Sequence, residues 1–320
     1  MCRAPNGARS RKRAGPPRAV AQVGSTRSEA SSIEVQRRVS PPPDRRVRSP
    51  QLRLPPGSCD THVHIFGPQA RFPLLPSRRL DVEDCTCDDL VALQGALGLS
   101  RALLVQSFQH GYSYEYMLNA LGRYPERFRG IAAPAPDITD GELDILSGAG
   151  VVGARFAYPA APSIDAALYA RIAERGWQAH FMFEGEAQIA AWSERILGFP
   201  NAFVIEHMGN PPVEKGVESP EFRFVLEALA TGRCWVKLSP RFSKQSVLPF
   251  ADVLPFIHAL VERAPDRLLW GSDWPHPNYF EPMPNDADLV DLLPAWIPDE
   301  PTRRRVLVDN PADLFGFPAI

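Results

Sequence analysis

Two histidines one residue apart, His62 and His64, stand in the apolar stretch Cys59-Asp60-Thr61-His62-Val63-His64-Ile65-Phe66. In an extended strand side chains alternate between faces, so both imidazoles point the same way while Thr61 and Val63 point the other. Two imidazoles on one face can polarise a carbonyl, share a metal ion, or do both. The spacing alone also fits two histidines in a strand of mixed surroundings. A second apolar stretch near the other end, Leu268-Leu269-Trp270-Gly271-Ser272-Asp273-Trp274-Pro275-His276, runs into an acid. A carboxylate beside two imidazoles can take a proton from water or complete a metal site. For Asp273 to meet His62 and His64, the first and last strands must be neighbours, as they are when a barrel closes.

The intervening chain supplies the elements for such a barrel. Short runs rich in Val, Ile, Ala and Phe predict strands near 59–66, 102–107, 130–135, 151–157, 177–183, 203–208, 234–239 and 268–273. Helical patterns lie between them at 87–97, 113–124, 142–146, 164–174, 187–197, 221–230 and 251–263, with a closing segment near 302–307. Eight alternations predict a distorted (β/α)8 TIM barrel over residues 51–320, its strands buried on both faces. In this architecture chemistry sits where the strands end. Polar residues gather there: Gln106 and Ser107, Arg155, His180 with Glu184, Glu206 and His207, Lys237, Ser239 and Arg241, and Ser272 with Asp273.

Charge is unevenly distributed. Residues 1–50 hold twelve Arg or Lys against Glu29, Glu34 and Asp44, a net of +9, and the remainder carries 23 basic and 34 acidic residues, a net of -11. An acidic folded part disfavours nucleic acid as a partner. The Arg-, Pro- and Ser-rich stretch 1–50 has too little apolar periodicity to offset its ordering entropy, and we expect a disordered basic tail there. The five cysteines, Cys2, Cys59, Cys85, Cys87 and Cys234, form neither a disulfide framework nor a zinc-ribbon pair, which fits a reduced, cytoplasmic protein. No apolar run approaches the roughly 18 residues of a membrane span.

Taken in order, Asp60-Thr61-His62-Val63-His64, Gly153-Ala154-Arg155-Phe156, Glu206-His207-Met208-Gly209, Lys237-Leu238-Ser239 and Trp270-Gly271-Ser272-Asp273-Trp274-Pro275-His276 resemble the amidohydrolase superfamily. The resemblance is nearest to the lactonase branch similar to 2-pyrone-4,6-dicarboxylate lactonase and covers about residues 54–320. It implies hydrolysis of a lactone or related carboxylic ester. Asp273 becomes the base for water, His62, His64 and His207 face the carbonyl, and Arg155 and Arg241 match places that hold substrate carboxylates. The chain departs from the pattern in two places. Pro159-Ala160-Ala161-Pro162 offers no second arginine after strand four, and Asn210 stands where that group often has Arg. Losing two cations points to a less anionic lactone or a monocarboxylate. The absence of a lysine at the end of strand four argues against a binuclear metal site.

The residues themselves leave alternatives open. An arginine in a buried strand needs an anion, so Arg155 serves either a substrate carboxylate or an internal salt bridge with Glu184 or Glu206. Gln106, Ser107 and Tyr158 are expected to line the substrate pocket, His180 to be structural, and Glu184 to be at most an extra ligand or a support. The lead expectation requires no cofactor. A second reading is a zinc-dependent hydrolase or decarboxylase with His62, His64, His207 and Asp273 on one divalent ion, since three imidazoles and a carboxylate suit zinc. A third is a non-catalytic barrel that captures an anionic metabolite. The expected partner is a small carboxylated molecule, with no nucleic acid or membrane.

Overall fold

The computed structural model describes residues 37–157, 166–245, 248–277 and 282–318. Eight parallel strands form one sheet in chain order: β1 (Cys59–Val63), β2 (Arg101–Val105), β3 (Phe128–Ala132), β4 (Val151–Ala157), β5 (Gln178–Met182), β6 (Phe203–Ile205), β7 (Cys234–Leu238) and β8 (Leu268–Trp270). Nearly every strand residue is buried, as expected of strands covered on both faces. The helices α1 (Cys87–Leu97), α2 (Glu115–Arg123), α3 (Asp140–Gly148), α4 (Ala166–Glu174), α5 (Glu186–Leu197), α6 (Pro220–Ala230) and α7 (Leu254–Arg263) alternate with them, making a (β/α)8 barrel. Local chemistry sets several helix starts. Thr86 with Asp89 and Thr139 with Glu142 form capping boxes, and the Ser219 side chain accepts from the Phe222 amide.

The distortion lies at the seam. β1 and β8 share no regular ladder; residues just past the strands join them instead. The Asp273 amide donates to the His62 carbonyl at 2.9 Å and the His64 amide to the Trp274 carbonyl at 2.7 Å. Thr61 Oγ1 donates to the Trp270 carbonyl at 2.8 Å. Asp60 Oδ1 accepts from the amides of His62 (3.1 Å) and Ser272 (3.0 Å). A Cβ at Gly271 would lie 2.6 Å from the His62 Cβ, so only glycine lets the strands approach this closely. We expect Gly271→Ala to force the seam apart, costing about 1–3 kcal/mol in urea unfolding and moving His62 away from Asp273, with activity falling further than stability.

The barrel interior is layered. Leu103, Ile131, Val204, Trp235 and Leu269 pack with Phe315 and Phe317 at the end where the strands begin. There the Arg101 and Arg129 guanidiniums lie 5.3 and 4.8 Å from the Phe317 ring. Two residues further along the same faces, Val204 gives way to Glu206 and Trp235 to Lys237. The apolar floor thus leaves the ionisable groups in the upper half, toward the strand ends.

The structure revises three expectations. β6 and β8 stop after three residues each: the chain turns at Glu206–Gly209 after the first, and runs toward the left-handed Asp273 after the second. In place of one closing helix near 302–307 come Asp286–Asp291, Leu293–Trp296, Glu300–Arg304, a π turn at Arg305–Asp309, and Asn310–Phe315; Pro294, Pro301 and Pro311 each stand in the first turn of one of these pieces. Residues 37–50, expected within the unstructured tail, lie on the barrel's compact unit, Val35–Ile320. Arg38–Val39 pairs in parallel with Leu80–Asp81, Arg45 meets Glu83 at 2.7 Å, and Arg48 meets Asp291 at 2.8 Å. Their arginines find carboxylates on the acidic body, an attraction that composition could not locate. The rest of the expected tail, residues 1–36, lies outside the described residues. No helix among the described residues is long and apolar enough to cross a membrane.

Candidate active site

At the strand ends Asp273 is 2 % exposed and His62 fully buried. Asp273 Oδ1 lies 3.5 Å from His62 Nε2 and 3.3 Å from His64 Nε2. Its other oxygen, Oδ2, lies 3.5 Å from Arg241 Nη1. Asp273 adopts a φ of 68°, a left-handed conformation that a non-glycine residue holds only at a cost. That turn and the seam hydrogen bonds aim the carboxylate back over β1. The opposite side of His64 is fixed by Nδ1, 2.7 Å from the Val105 carbonyl on β2.

His207 reaches the same point from β6. After Ile205 the chain enters a turn with φ of 51° at His207, 54° at Met208, 77° at Gly209 and 46° at Asn210. This left-handed run swings the imidazole to 4.5 Å from the His62 ring, centroid to centroid. His207 Nδ1 is 2.8 Å from Ser239 Oγ and Nε2 is 3.4 Å from Arg241 Nη1. Arginine can only donate, so His207 Nε2 is the acceptor and Nδ1 carries the proton.

Beneath the histidines is a charged cluster that the sequence suggested only in part. Glu206, fully buried, accepts from Arg155 Nε at 3.0 Å and Nη2 at 2.9 Å through Oε2. Its Oε1 lies 3.8 Å from His62 Nδ1, 3.8 Å from His180 Nδ1 and 3.9 Å from Lys237 Nζ. Lys237 Nζ is 3.3 Å from His62 Nδ1.

The electrostatics follow from burial and these partners. Burial works against the Asp273 carboxylate, but the Arg241 guanidinium foremost outweighs it and holds the carboxyl below the usual range. Burial likewise opposes ionised Glu206, and Arg155 with the other cations keeps it charged. Burial pushes Lys237 down to about 8 against the pull of Glu206, and pushes Asp60 up to about 7. The same loss of hydration drives His62 well below its ordinary value and His110, His180 and His207 down to about 3. A histidine kept neutral in the fold but protonated at about 6.5 when unfolded stabilises the native state above that pH; the gain is lost as pH falls toward 3. His110 stacks 3.6 Å from Tyr116 and 5.3 Å from Phe66. We expect His110→Phe to flatten the acid limb of stability by up to about 1.4 kcal/mol per pH unit, read from urea unfolding between about pH 6 and pH 4.

Comparison with known proteins gives this geometry a context. Residues 59–317 match the family model described as amidohydrolase. The chain belongs to the amidohydrolase family. A 4-sulfomuconolactone hydrolase from Hydrogenophaga intermedia is 36% identical over 285 residues, covering 86% of this chain and 93% of that one. A 2-pyrone-4,6-dicarboxylate hydrolase from Comamonas testosteroni is 36% identical over 284 residues, covering 83% and 92%. A crystal structure of an Agrobacterium tumefaciens protein superposes with a TM-score of 0.72 at 27% identity, covering 85% of this chain and 98% of that one. This protein is a hydrolase of that family.

The amidohydrolase fold brings His62, His64, His207, Asp273 and Arg241 together. It does not leave Arg155 for a substrate carboxylate: beyond Glu206, its Nη1 donates to the Gln106 carbonyl at 3.1 Å and its guanidinium lies 4.8 Å from the Phe108 ring. The anion that a buried arginine requires is internal. Gln106 is also occupied, its Nε2 donating to the Gly111 carbonyl at 2.8 Å and its Oε1 accepting from the Ala133 amide at 2.7 Å. Ser107 Oγ donates to Gln109 Oε1. These two side chains brace the β2 loop. Tyr158 lies outside the described residues. Glu184 lines an outer cavity of about 620 Å³ with Asn210, Lys215, Arg241, Phe242 and Lys244. Arg241 spans from that cavity to Asp273. Lys237 and Ser239 were visible as polar strand ends, but their reach to His62 and His207 needs the register of β7 against β6 and β8.

His62, His64 and Asp273 form a group able to hold a metal ion, their ligand atoms within 4.8 Å of one another, and His62, Glu206 and His207 form another. The hydrogen bonds decide how well each donor fits. His64 fits, because Nδ1 donates to Val105 and leaves the Nε2 lone pair facing Asp273 Oδ1, an oxygen that itself has no hydrogen-bond partner. His207 does not fit, because a guanidinium covers its Nε2. His62 fits only when its proton sits on Nδ1, the nitrogen that faces the Lys237 ammonium.

Proposed function

We propose that this protein opens the ring of a lactone bearing one anionic group, with Asp273 as general base. The observation that carries the reading is the convergence of His62 and His64 on one oxygen of Asp273 while Arg241 holds the other. A carboxylate acceptor and a neutral imidazole lone pair can each take a hydrogen bond from one water, leaving its oxygen lone pair free to attack a carbonyl. Asp273 takes the proton, the tetrahedral oxyanion forms near His62, and its collapse breaks the ring carbon–oxygen bond as the proton held by Asp273 passes to the departing ring oxygen. His64 and Asp273, joined by His62 when its proton sits on Nδ1, would hold a divalent ion, which would supply Lewis-acid polarisation of the carbonyl.

The substrate class follows from the remaining cations. Arg155 is committed to Glu206, and Asn210 replaces a cation, its Nδ2 donating to the Phe183 carbonyl at 3.0 Å. Arg241, which reaches from Asp273 to the outer cavity, is the arginine placed to meet an anionic group, with Lys215 and Lys244 on the same lining; one such arginine in place of several favours a singly charged lactone over a dianion. The names of the two curated relatives, both lactone hydrolases or pyrone hydrolases, support this reaction class.

A panel of lactones with and without a carboxylate, followed by acid release and product identification, tests the reading; failure to open any lactone that demonstrably binds would remove it. We expect Arg241→Gln to lower kcat/KM for a carboxylated lactone about a hundredfold, in line with loss of a charge-assisted contact, and for its uncharged counterpart by much less.

A further inference from the structure

We infer that Lys237 is a positioning residue that makes His62 the hydrogen-bond donor of the site, with the proton on Nε2, while His64 presents a lone pair there and the His207 lone pair is taken up by Arg241. The inference deepens the lactonase reading and rests on it only for its catalytic consequence.

The three imidazoles are held by three different partners. His64 Nδ1 faces a backbone carbonyl at 2.7 Å, which can only accept, so in the neutral ring Nδ1 carries the hydrogen. His207 Nε2 faces a guanidinium at 3.4 Å, which can only donate, so that ring also carries its hydrogen on Nδ1. His62 alone has a cation at Nδ1, with Lys237 Nζ at 3.3 Å. An ammonium has three donors and no acceptor, so Nδ1 must accept and the hydrogen must sit on Nε2. The competing partner for an Nδ1 hydrogen is Glu206 Oε1, but at 3.8 Å it is beyond hydrogen-bond distance. Lys237 is fully buried on β7, and Glu206, 3.9 Å from Nζ, is the carboxylate that keeps its charge inside the barrel.

Nε2 of His62 has no hydrogen-bond partner in the fold and lies 3.5 Å from Asp273 Oδ1. A donor fixed in this position, over the carboxylate that activates water, suits the oxygen of a carbonyl becoming an oxyanion. The same proton takes the lone pair that a metal would need from His62, so Lys237 favours His62 as a donor over His62 as a ligand.

The test is the ring ¹⁵N spectrum of histidine-labelled, metal-stripped protein, with His62 assigned by its loss in His62→Asn. The wild type is expected to show His62 with an unprotonated Nδ1 and a protonated Nε2. In Lys237→Met the proton is expected to move to Nδ1, toward Glu206, with kcat down about a hundredfold or more, the cost of losing one oxyanion donor, and KM within about threefold. A wild-type His62 protonated on Nδ1 overturns the inference even if Lys237→Met fails to fold. So does a variant that loses activity with its His62 tautomer unchanged. Because the spectrum is read on the resting protein, failure of the lactone panel bears on the reaction and leaves the tautomer result standing.

Discussion

Asp273→Asn is expected to lower kcat for lactone opening by about 10⁴-fold while leaving KM within about tenfold. The upper end of general-base catalysis is about 10⁴, and this site has reason to reach it. Asp273 is buried, held in a left-handed turn, bound through its backbone to the His62 carbonyl, and faced by Arg241 and two imidazoles. Asparagine keeps the shape and the hydrogen-bonding reach but cannot take a proton from water. Substrate affinity depends mainly on Arg241 and the outer cavity, so binding survives. Since Arg241 foremost holds the wild-type carboxyl ionised below the usual range, the rate is not expected to fall through protonation of this group down to about pH 4, where an ordinary carboxylate begins to titrate. A variant retaining near wild-type kcat, measured by steady-state kinetics, would take Asp273 out of the role of base.

Glu206→Gln carries the largest expected loss of stability, about 3–5 kcal/mol, the range for removing one partner of a buried ion pair. Its carboxylate is the anion for Arg155, which is 4 % exposed, and for Lys237, which is fully buried. The amide keeps an acceptor but no charge, so two cations remain inside the barrel with their nearest anion gone. Lys237 is then expected to lose its proton at lower pH, and the arrangement around His62 loosens with it. Urea unfolding of the folded variant reads the loss. A change under 1 kcal/mol would mean that water or another carboxylate already neutralises the pair.

Much of this architecture was legible in the chain because it is written in periodicity. Eight apolar runs, seven of them with polar ends, predict the barrel and its mouth, and the run at 151–157 begins and ends as expected. His62, His64 and Asp273 could be brought together because closure makes the first and last strands adjacent. What the sequence could not assign was the partner of each polar group. Arg155 reads as a substrate clamp, with half of a salt bridge as the alternative, until the left-handed turn after Ile205 places Glu206 beside it. Gln106 has the chemistry of a pocket amide, and only the fold of the following loop directs both its ends to backbone groups. Lys237 looked like one polar terminus among several, because its distance to His62 spans 175 residues of sequence and is fixed by strand register. The basic segment was read from composition, which reports charge but not which acidic surface it meets.

Ring opening of a carboxylated lactone in ¹⁸O-enriched water, with the product analysed by mass spectrometry after a single turnover, tests the mechanism at its centre. Attack of an Asp273-activated water on the carbonyl carbon predicts one ¹⁸O in the newly formed carboxylate and none in the released hydroxyl. Label in the hydroxyl, or a product that carries none, would contradict it.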